Sequence, residues 1–136
     1  AAWRQTIYWP FLFASKYGRG TSLRLAVEVA SYDADAADRV PWLDISGVHD
    51  ADAGTLTFFA INRSGTEVME ADLALEGFAA KTVEHTLIHH HDLEARNTKT
   101  APDTVSPTKG NGAVLGGRGL VLTLPPHSYS MIRVGL

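Results

Sequence analysis

The sequence predicts a mainly β fold: an antiparallel β-sandwich of jelly-roll type preceded by one N-terminal helix. Three observations predict it. Apolar side chains in the first twenty residues follow helical spacing and stop at Gly18-Arg19-Gly20. Beyond Gly20 the apolar period drops from about 3.6 to 2. Clusters of Gly, Pro, Asn and Asp then divide the chain into about seven or eight short alternating segments, the layout of packed antiparallel sheets rather than of βαβ units. Neither an internal repeat nor a low-complexity tract interrupts the pattern.

Residues 3–18 read as the helix, with Ile7, Phe11, Ala14 and Tyr17 near i, i+4, i+7 spacing and Tyr8 on the same side. Pro10 either opens the helix proper or kinks it, since a missing N–H is harmless only in the first turn. Gly18 is placed to cap the helix in the left-handed conformation. Trp3, Tyr8, Trp9, Phe11 and Phe13 make this stretch too aromatic for a lone surface helix, so a large partner is expected on that face. Leu23, Leu25, Val27 and Val29 alternate with Ser22, Arg24, Ala26 and Glu28 as a half-buried strand. Residues 32–41 read as a polar loop closed by Pro41, 42–48 as a strand and 49–54 as a turn. Residues 55–62 (TLTFFAIN) are rich in β-branched and aromatic side chains and form a strand. Arg63-Ser64-Gly65 reads as a tight hairpin leading back through 66–75, with Met69, Ala71, Leu73 and Leu75 on one face. Gly77 breaks that strand, and 81–90 form the next. Residues 92–113 read as a long loop, and Gly116-Gly117-Arg118-Gly119 as a hairpin turn. Leu120, Leu122 and Leu124 alternate up to Pro125-Pro126, and Ser128 to Val134 form the last strand.

Composition narrows the function classes. The chain has 136 residues, one domain's worth, with 45% apolar and 20% charged residues, which is ordinary for a globular domain and not for a disordered one. Twelve basic against fifteen acidic residues give a net charge of −3, so no nucleic-acid footprint and no polybasic membrane surface is expected. No apolar run reaches the ~18 residues of a membrane-spanning helix. Cysteine is absent, which removes disulfide and thiolate chemistry and fits a reducing compartment. The opening Ala1-Ala2-Trp3-Arg4-Gln5 carries neither an initiator Met nor the layout of a secretory signal, and reads as the interior of a longer protein.

Candidate chemistry is sparse. His85, His89 and His91 would share one strand face and could imitate a metal site, but the nearest carboxylates are Glu84 and Asp92 and the ligand set lacks outer support. The favoured reading is a strand ending in a polar turn whose imidazoles hydrogen-bond loop backbone; no metal is expected. Asp50-Ala-Asp52-Ala-Gly54 puts Gly at position 5 and Ile61 at position 12, where a calcium loop needs Gly at position 6 and Glu at position 12, and reads as an Asp-rich turn. Asp33, Asp35 and Asp38 read as a solvated loop. Asn62-Arg63-Ser64 matches a glycosylation sequon, which matters only in a secreted protein. Glu28, Asp44, Glu67, Glu70, Asp72 and Glu84 include no recognisable catalytic pair, and no G-x-S-x-G, P-loop or G-x-G-x-x-G is present. Trp3, Trp9 and Trp42 are able to stack on sugar rings, with core or interface packing the commoner use.

Three stretches carry a resemblance. They are Trp3-Arg-Gln-Thr-Ile-Tyr-Trp-Pro-Phe11 with Ala14-Ser-Lys-Tyr-Gly-Arg-Gly20; Val40-Pro-Trp-Leu-Asp44 with Leu56-Thr-Phe-Phe-Ala-Ile-Asn-Arg63; and Val83-Glu-His85 with His91-Asp-Leu-Glu-Ala-Arg-Asn-Thr98 and the closing Leu124-Pro-Pro-His-Ser-Tyr-Ser-Met-Ile-Arg133. Their order and spacing resemble the C-terminal region of intracellular α-L-arabinofuranosidases of glycoside hydrolase family 51, over nearly the whole chain.

The resemblance implies a parent enzyme with a catalytic (β/α)8 barrel and a C-terminal sandwich. Residues 1–20 would be the tail of the last βα unit of that barrel and 21–136 the sandwich. The parent would be a retaining glycosidase, releasing terminal α-L-arabinofuranosyl residues from arabinan or arabinoxylan oligosaccharides with two glutamates that lie upstream of this chain. No catalytic residue, metal or organic cofactor is therefore expected here. Trp3 and Gln5 are the substrate-proximal candidates, since loops after barrel strands build the active site. The implied partners are the barrel of the same polypeptide, further copies in a homo-oligomer, and arabinose-containing oligosaccharides through the parent, with no nucleic acid and no membrane. The implied location is the bacterial cytoplasm. The rival reading is a stand-alone carbohydrate-binding β-sandwich, for which Trp42 is the platform candidate.

Overall fold

Alternation decides where the core lies. Leu56, Phe58 and Ala60 on one strand, Leu120, Leu122 and Leu124 on a second, and Ile132 and Val134 on a third are buried almost completely. In the computed structural model, which describes residues 2–136, the elements run α1 (Tyr8–Tyr17), β1 (Thr21–Ser22), β2 (Ser31–Ala34), β3 (Ala37–Pro41), β4 (Leu43–Asp50), β5 (Thr55–Asn62), β6 (Met69–Ala74), β7 (Thr82–Ile88), β8 (Thr108–Lys109), β9 (Ala113–Gly116), β10 (Gly119–Leu124) and β11 (Ser128–Gly135). The expected start of the first segment at Ala1 lies outside the described residues.

The strands form a six-stranded sheet in the order β1-β4-β5-β11-β7-β8, a three-stranded sheet β6-β10-β9, and the separate hairpin β2-β3. Every described ladder is antiparallel. The expected fold class, an antiparallel sandwich with one helix before it, is therefore the observed one. Leu56, Phe58, Ile132 and Val134 of the larger sheet meet Leu120, Leu122 and Leu124 of the smaller, with Met69, Ala71 and Leu73 closing the side. Gly47 lies against this core because a Cβ there would sit 2.8 Å from the Phe58 ring.

The helix forms a third layer. Phe13, Trp9 and Tyr17 pack with Ile88, Met131, Phe59 and Tyr129 on the outer face of the six-stranded sheet. The Phe13 and Tyr129 rings are stacked at 6.4 Å, and the Arg133 guanidinium lies 4.3 Å from the Tyr17 ring centroid. Part of the expected large partner is thus the chain's own sheet. Phe11, Ile7 and Tyr8 stay exposed on the other side, Phe11 at 71%.

Several boundaries differ from the expectations, each for a local reason. The helix begins at Tyr8, not at residue 3, which places Pro10 in its first turn where no donor is lost. Gly18 closes it with φ −83, outside the left-handed region, by donating its N–H to Ala14 O at 2.9 Å; the positive φ falls at Gly20 instead, at +116. Residues 23–29 do not form the expected strand. Leu23, Leu25 and Val29 pack on the core, but beyond the Leu23 N–H to Gly47 O bond the segment finds no ladder partner, and Val27 is exposed. Residues 32–41 are mostly a hairpin rather than a loop, held by the Tyr32–Trp42 ring stack at 4.0 Å and by the Arg39 N–H donating to Asp33 Oδ1. Arg63-Ser64-Gly65 is not a hairpin turn: β5 pairs with β4 and β11 while β6 pairs with β10, so residues 63–68 arch from one sheet to the other. The long loop 92–113 contains β8 and the start of β9. The turn at Gly116–Gly119 is as expected, with those two residues paired across the hairpin. Among the described residues no helix is long and apolar enough to cross a membrane.

Phe13 is the helix's buried anchor, so Phe13→Ala should lower unfolding stability by about 3 kcal/mol. A urea titration reads this, and a change under about 0.5 kcal/mol would show that α1 docks on the sheet without energetic consequence.

Candidate functional site

A cleft of about 560 Å³ opens where β5 and β7 end and β11 begins, between the start of α1 and the β2-β3 hairpin. Thr6 and Pro10 line it from the helix side, Tyr32 from the hairpin, and Ile61, His89 and Tyr129 from the sheet. The antiparallel register explains the gathering, because Tyr129 on β11 sits opposite Ile61 on β5 and Ile88 on β7. Three strand ends therefore present side chains at one level.

Polar groups around the cleft are largely occupied. Arg63 donates from Nη2 to Asp44 Oδ2 at 2.7 Å and from Nη1 to Pro41 O at 2.9 Å. Both partners of that ion pair are partly exposed, so it contributes at most about 1 kcal/mol. His127, in a left-handed conformation with φ +40, sets Nε2 2.7 Å from His90 O and Nδ1 3.2 Å from Gly65 O, bridging the end of β7 and the inter-sheet arch. Its ring stacks on His89 at 5.0 Å. Burial, with the neighbouring His127, His90 and His91 adding to it, pushes the His89 imidazole below its ordinary range. Burial also pushes the Tyr129 phenol up to about 12. The Asp92 N–H donates to His90 Nδ1, and Asp92 Oδ1 accepts the Glu94 N–H.

The histidines do not share a face. His85 is turned into the sandwich, where Nε2 lies 2.8 Å from Ser130 Oγ and Nδ1 accepts the Gly112 N–H at 3.2 Å. That bond fixes the neutral ring with its proton on Nε2, donating to the serine. β7 ends at Ile88, so the strand period that would align His89 and His91 with His85 stops before either. Among the described residues no three His, Cys, Asp or Glu side chains converge as metal ligands. Asn62 of the sequon is 1% exposed, donates from Nδ2 to Glu67 O, Leu124 O and Pro125 O, and accepts the Ser64 N–H. It pins the arch and is closed to modification. Asp50 Oδ1 accepts the Ala53 N–H, as a turn residue does.

Trp3 and Gln5 precede Thr6, which lines the cleft, and neither is among the lining residues. Trp3 donates its indole N–H to Asn97 O at 3.2 Å with its ring 41% exposed, and Gln5 offers its carbonyl to the Tyr8 N–H. The Arg4 guanidinium lies 5.3 Å from both the Tyr8 and Trp9 ring centroids. Asn97, which the sequence reading did not single out, organises this region. Its Nδ2 donates to Arg4 O at 2.9 Å and Val105 O at 2.8 Å, and its Oδ1 accepts the Val105 N–H at 2.7 Å. The signal available beforehand was its place in the Ala95-Arg-Asn-Thr98 motif. Trp42 is half-buried under Tyr32, so its ring is not the open platform that a stand-alone binding module would use.

A sequence profile of the α-L-arabinofuranosidase C-terminal domain matches residues 1–128. The intracellular exo-α-(1→5)-L-arabinofuranosidase 1 of Bacillus subtilis is 34% identical over 134 residues, 98% of this chain and 26% of that protein. An intracellular exo-α-(1→5)-L-arabinofuranosidase of Streptomyces lividans is 38% identical over 133 residues, 97% of this chain and 20% of its own length. The solved structure of a family 51 α-L-arabinofuranosidase from Bifidobacterium longum superposes with a TM-score of 0.88 at 27% identity, covering 97% of this chain and 26% of that one. The chain spans about a quarter of the length of the Bacillus protein and of the Bifidobacterium one.

Asn97→Ala strands buried backbone groups on two segments and should cost about 2–3 kcal/mol. Hydrogen exchange should show amides 3–9 losing protection first; loss spread evenly over the sandwich would contradict the clamp. His85 sets a pH dependence. Burial holds its imidazole below the ordinary 6.5. The unfolded chain therefore takes up a proton as pH falls through about 6.5, while the folded chain does so only at lower pH. Stability is full above that point and declines with acidification until the folded ring also titrates. Urea midpoints at pH 7.5 and 5.5 should fall less for His85→Gln than for the parent sequence; an equal fall would assign the acid sensitivity elsewhere.

Proposed function

This chain belongs to the α-L-arabinofuranosidase C-terminal domain family, and we propose that it serves as the accessory sandwich of a retaining glycosidase whose (β/α)8 barrel lies in the same polypeptide. The parent would release terminal α-L-arabinofuranosyl residues from arabinan or arabinoxylan oligosaccharides. Its two carboxylates, about 5–5.5 Å apart in a retaining site, would come from the barrel, and the two-carboxylate mechanism needs no metal or organic cofactor. The names and organisms of the relatives support an intracellular, bacterial setting. A homo-oligomer is part of the same reading.

The observation that carries the docking role is the second apolar face of α1. One side packs on the six-stranded sheet through Phe13, Trp9 and Tyr17, while Ile7 and Phe11 on the other are 64% and 71% exposed. A helix apolar on more than one side is one that is covered on more than one side. Residues 1–20 would then be the tail of the last βα unit of the barrel, shared as a wall between barrel and sandwich. Trp3 and Gln5 would stand near the barrel mouth, held there by Asn97.

The test is a double substitution, Ile7→Ser with Phe11→Ser. In this chain alone the unfolding free energy from a urea titration should change by less than about 0.5 kcal/mol, since both side chains already face water. In the full-length parent the same change should cost about 2–4 kcal/mol. Equal effects in the two backgrounds would overturn the docking role. Separately, the parent should hydrolyse an aryl α-L-arabinofuranoside and the purified chain should not; turnover by the chain would place catalytic groups within it.

A further inference from the structure

We infer that the cleft between the start of α1, the β2-β3 hairpin and the ends of β5, β7 and β11 binds a neutral oligosaccharide. The choice of arabinan as the sugar rests on the proposed function; the site itself rests on geometry and charge.

Size comes first. At about 560 Å³ the cleft falls within the ~300–1,000 Å³ typical of small-molecule sites. Charge comes next. The one guanidinium in the wall, Arg63, is neutralised by Asp44 at 2.7 Å and also spent on Pro41 O. The one carboxylate, Asp92, caps its own turn through the Glu94 N–H. His89 is held toward its neutral form by burial and by the adjacent imidazoles. The Tyr129 phenol, pushed up to about 12, keeps its proton across the physiological range and offers both a donor and an acceptor. The wall thus gathers no cluster of like charges: its guanidinium is already paired and its carboxylate stands alone at the exposed rim. A polyol would find uncharged hydrogen-bonding groups.

The apolar part of the wall fits the same ligand. Sugar rings present C–H faces to aromatic side chains. Tyr32 lines the cleft and is braced from behind by the Trp42 ring at 4.0 Å, so its orientation is set before any ligand arrives. Ile61 and Leu93, 39% and 67% exposed, supply further apolar surface at the rim. A preformed aromatic face costs little side-chain entropy on binding.

The test titrates the chain in two-dimensional NMR with α-1,5-linked arabinotetraose, with cellotetraose and inorganic phosphate as comparison probes. Saturable shifts confined to Tyr32, Ile61, His89, Tyr129 and their neighbours are expected with the arabinotetraose. Tyr32→Ala should weaken binding about tenfold. Because Tyr32→Ala also loosens the hairpin, Tyr129→Phe provides a second reading: it keeps the ring on Phe13, removes only the hydroxyl, and should weaken binding about three- to fivefold. Arg118→Ala, at the far hairpin, should leave the affinity unchanged. Absence of saturable shifts, shifts produced equally by phosphate, or unchanged affinity in both tyrosine variants would overturn the inference. Failure here with a hydrolytically active parent leaves the proposed function intact. Binding by the chain beside a parent that releases no arabinose would keep the cleft and remove the proposed function.

Discussion

The rest of the structure depends on β11 being buried on both faces. It pairs along its whole length with β5 on one side and from Tyr129 to Gly135 with β7 on the other. Its inward residues, Ile132 and Val134, sit in the sandwich core, and its outward residues, Tyr129 and Met131, receive the helix. A strand in that position stitches three layers together. It is also the last element of the chain, so the central ladder closes only between residues far apart in sequence, and such pairings pay loop-closure entropy before they return any contact. Ser130 illustrates how tightly the position is constrained. It is fully buried, and its hydroxyl is satisfied by the His85 ring, which in turn accepts the Gly112 N–H. One polar chain thus links β11, β7 and the segment entering β9.

A second constraint ties the N-terminal segment to the body. Trp3 and Arg4 reach Asn97 across more than ninety positions of sequence. Asn97 also closes its own loop onto Val105. The loop after β7 and the approach to α1 are therefore ordered by each other. The same arrangement places the start of α1 beside the ends of β5, β7 and β11, which creates the cleft. Fold and cleft have a common cause in where three antiparallel strands end.

Legibility from sequence followed the physics of each element. Thr55–Asn62, Gly119–Leu124 and Ser128–Gly135 stand where expected because alternation, β-propensity and turn chemistry agree there. Residues 23–29 show the limit of alternation, which reports burial on one side and says nothing about a ladder partner. Leu23, Leu25 and Val29 do face the core, yet the backbone mostly runs unpaired. The β2-β3 hairpin was hidden for the opposite reason. Its Asp- and Ala-rich sequence has poor strand propensity, and the hairpin is stabilised by the Tyr32 ring on Trp42, a tertiary contact. The arch at 63–68 looks like a hairpin in sequence because a hairpin and an inter-sheet crossing use the same Ser and Gly residues; what separates them is Asn62, whose buried side chain fastens the crossing to Leu124 and Pro125. The cleft was the least legible part. Tyr32, His89 and Tyr129 are brought together by register, and no spacing along the chain announces that.

The helix links the sandwich to whatever lies beyond it. A ten-residue helix with no side-chain cap at its start has little stability of its own and depends on what it packs against. Phe13 and its neighbours supply one contact surface from the sheet. Phe11 and Ile7 remain in water in this chain, and large apolar side chains left exposed together mark a surface that has a partner. In the proposed parent that partner is the barrel, and α1 becomes a wall common to both bodies. Its inner face packs on β11, and its outer face would pack on the barrel. A displacement of the sandwich would then move the segment that carries Trp3, Arg4 and Gln5, because Asn97 binds that segment to the loop after β7. An accessory domain attached in this way does more than cover a surface: it fixes the position of the residues that precede the helix.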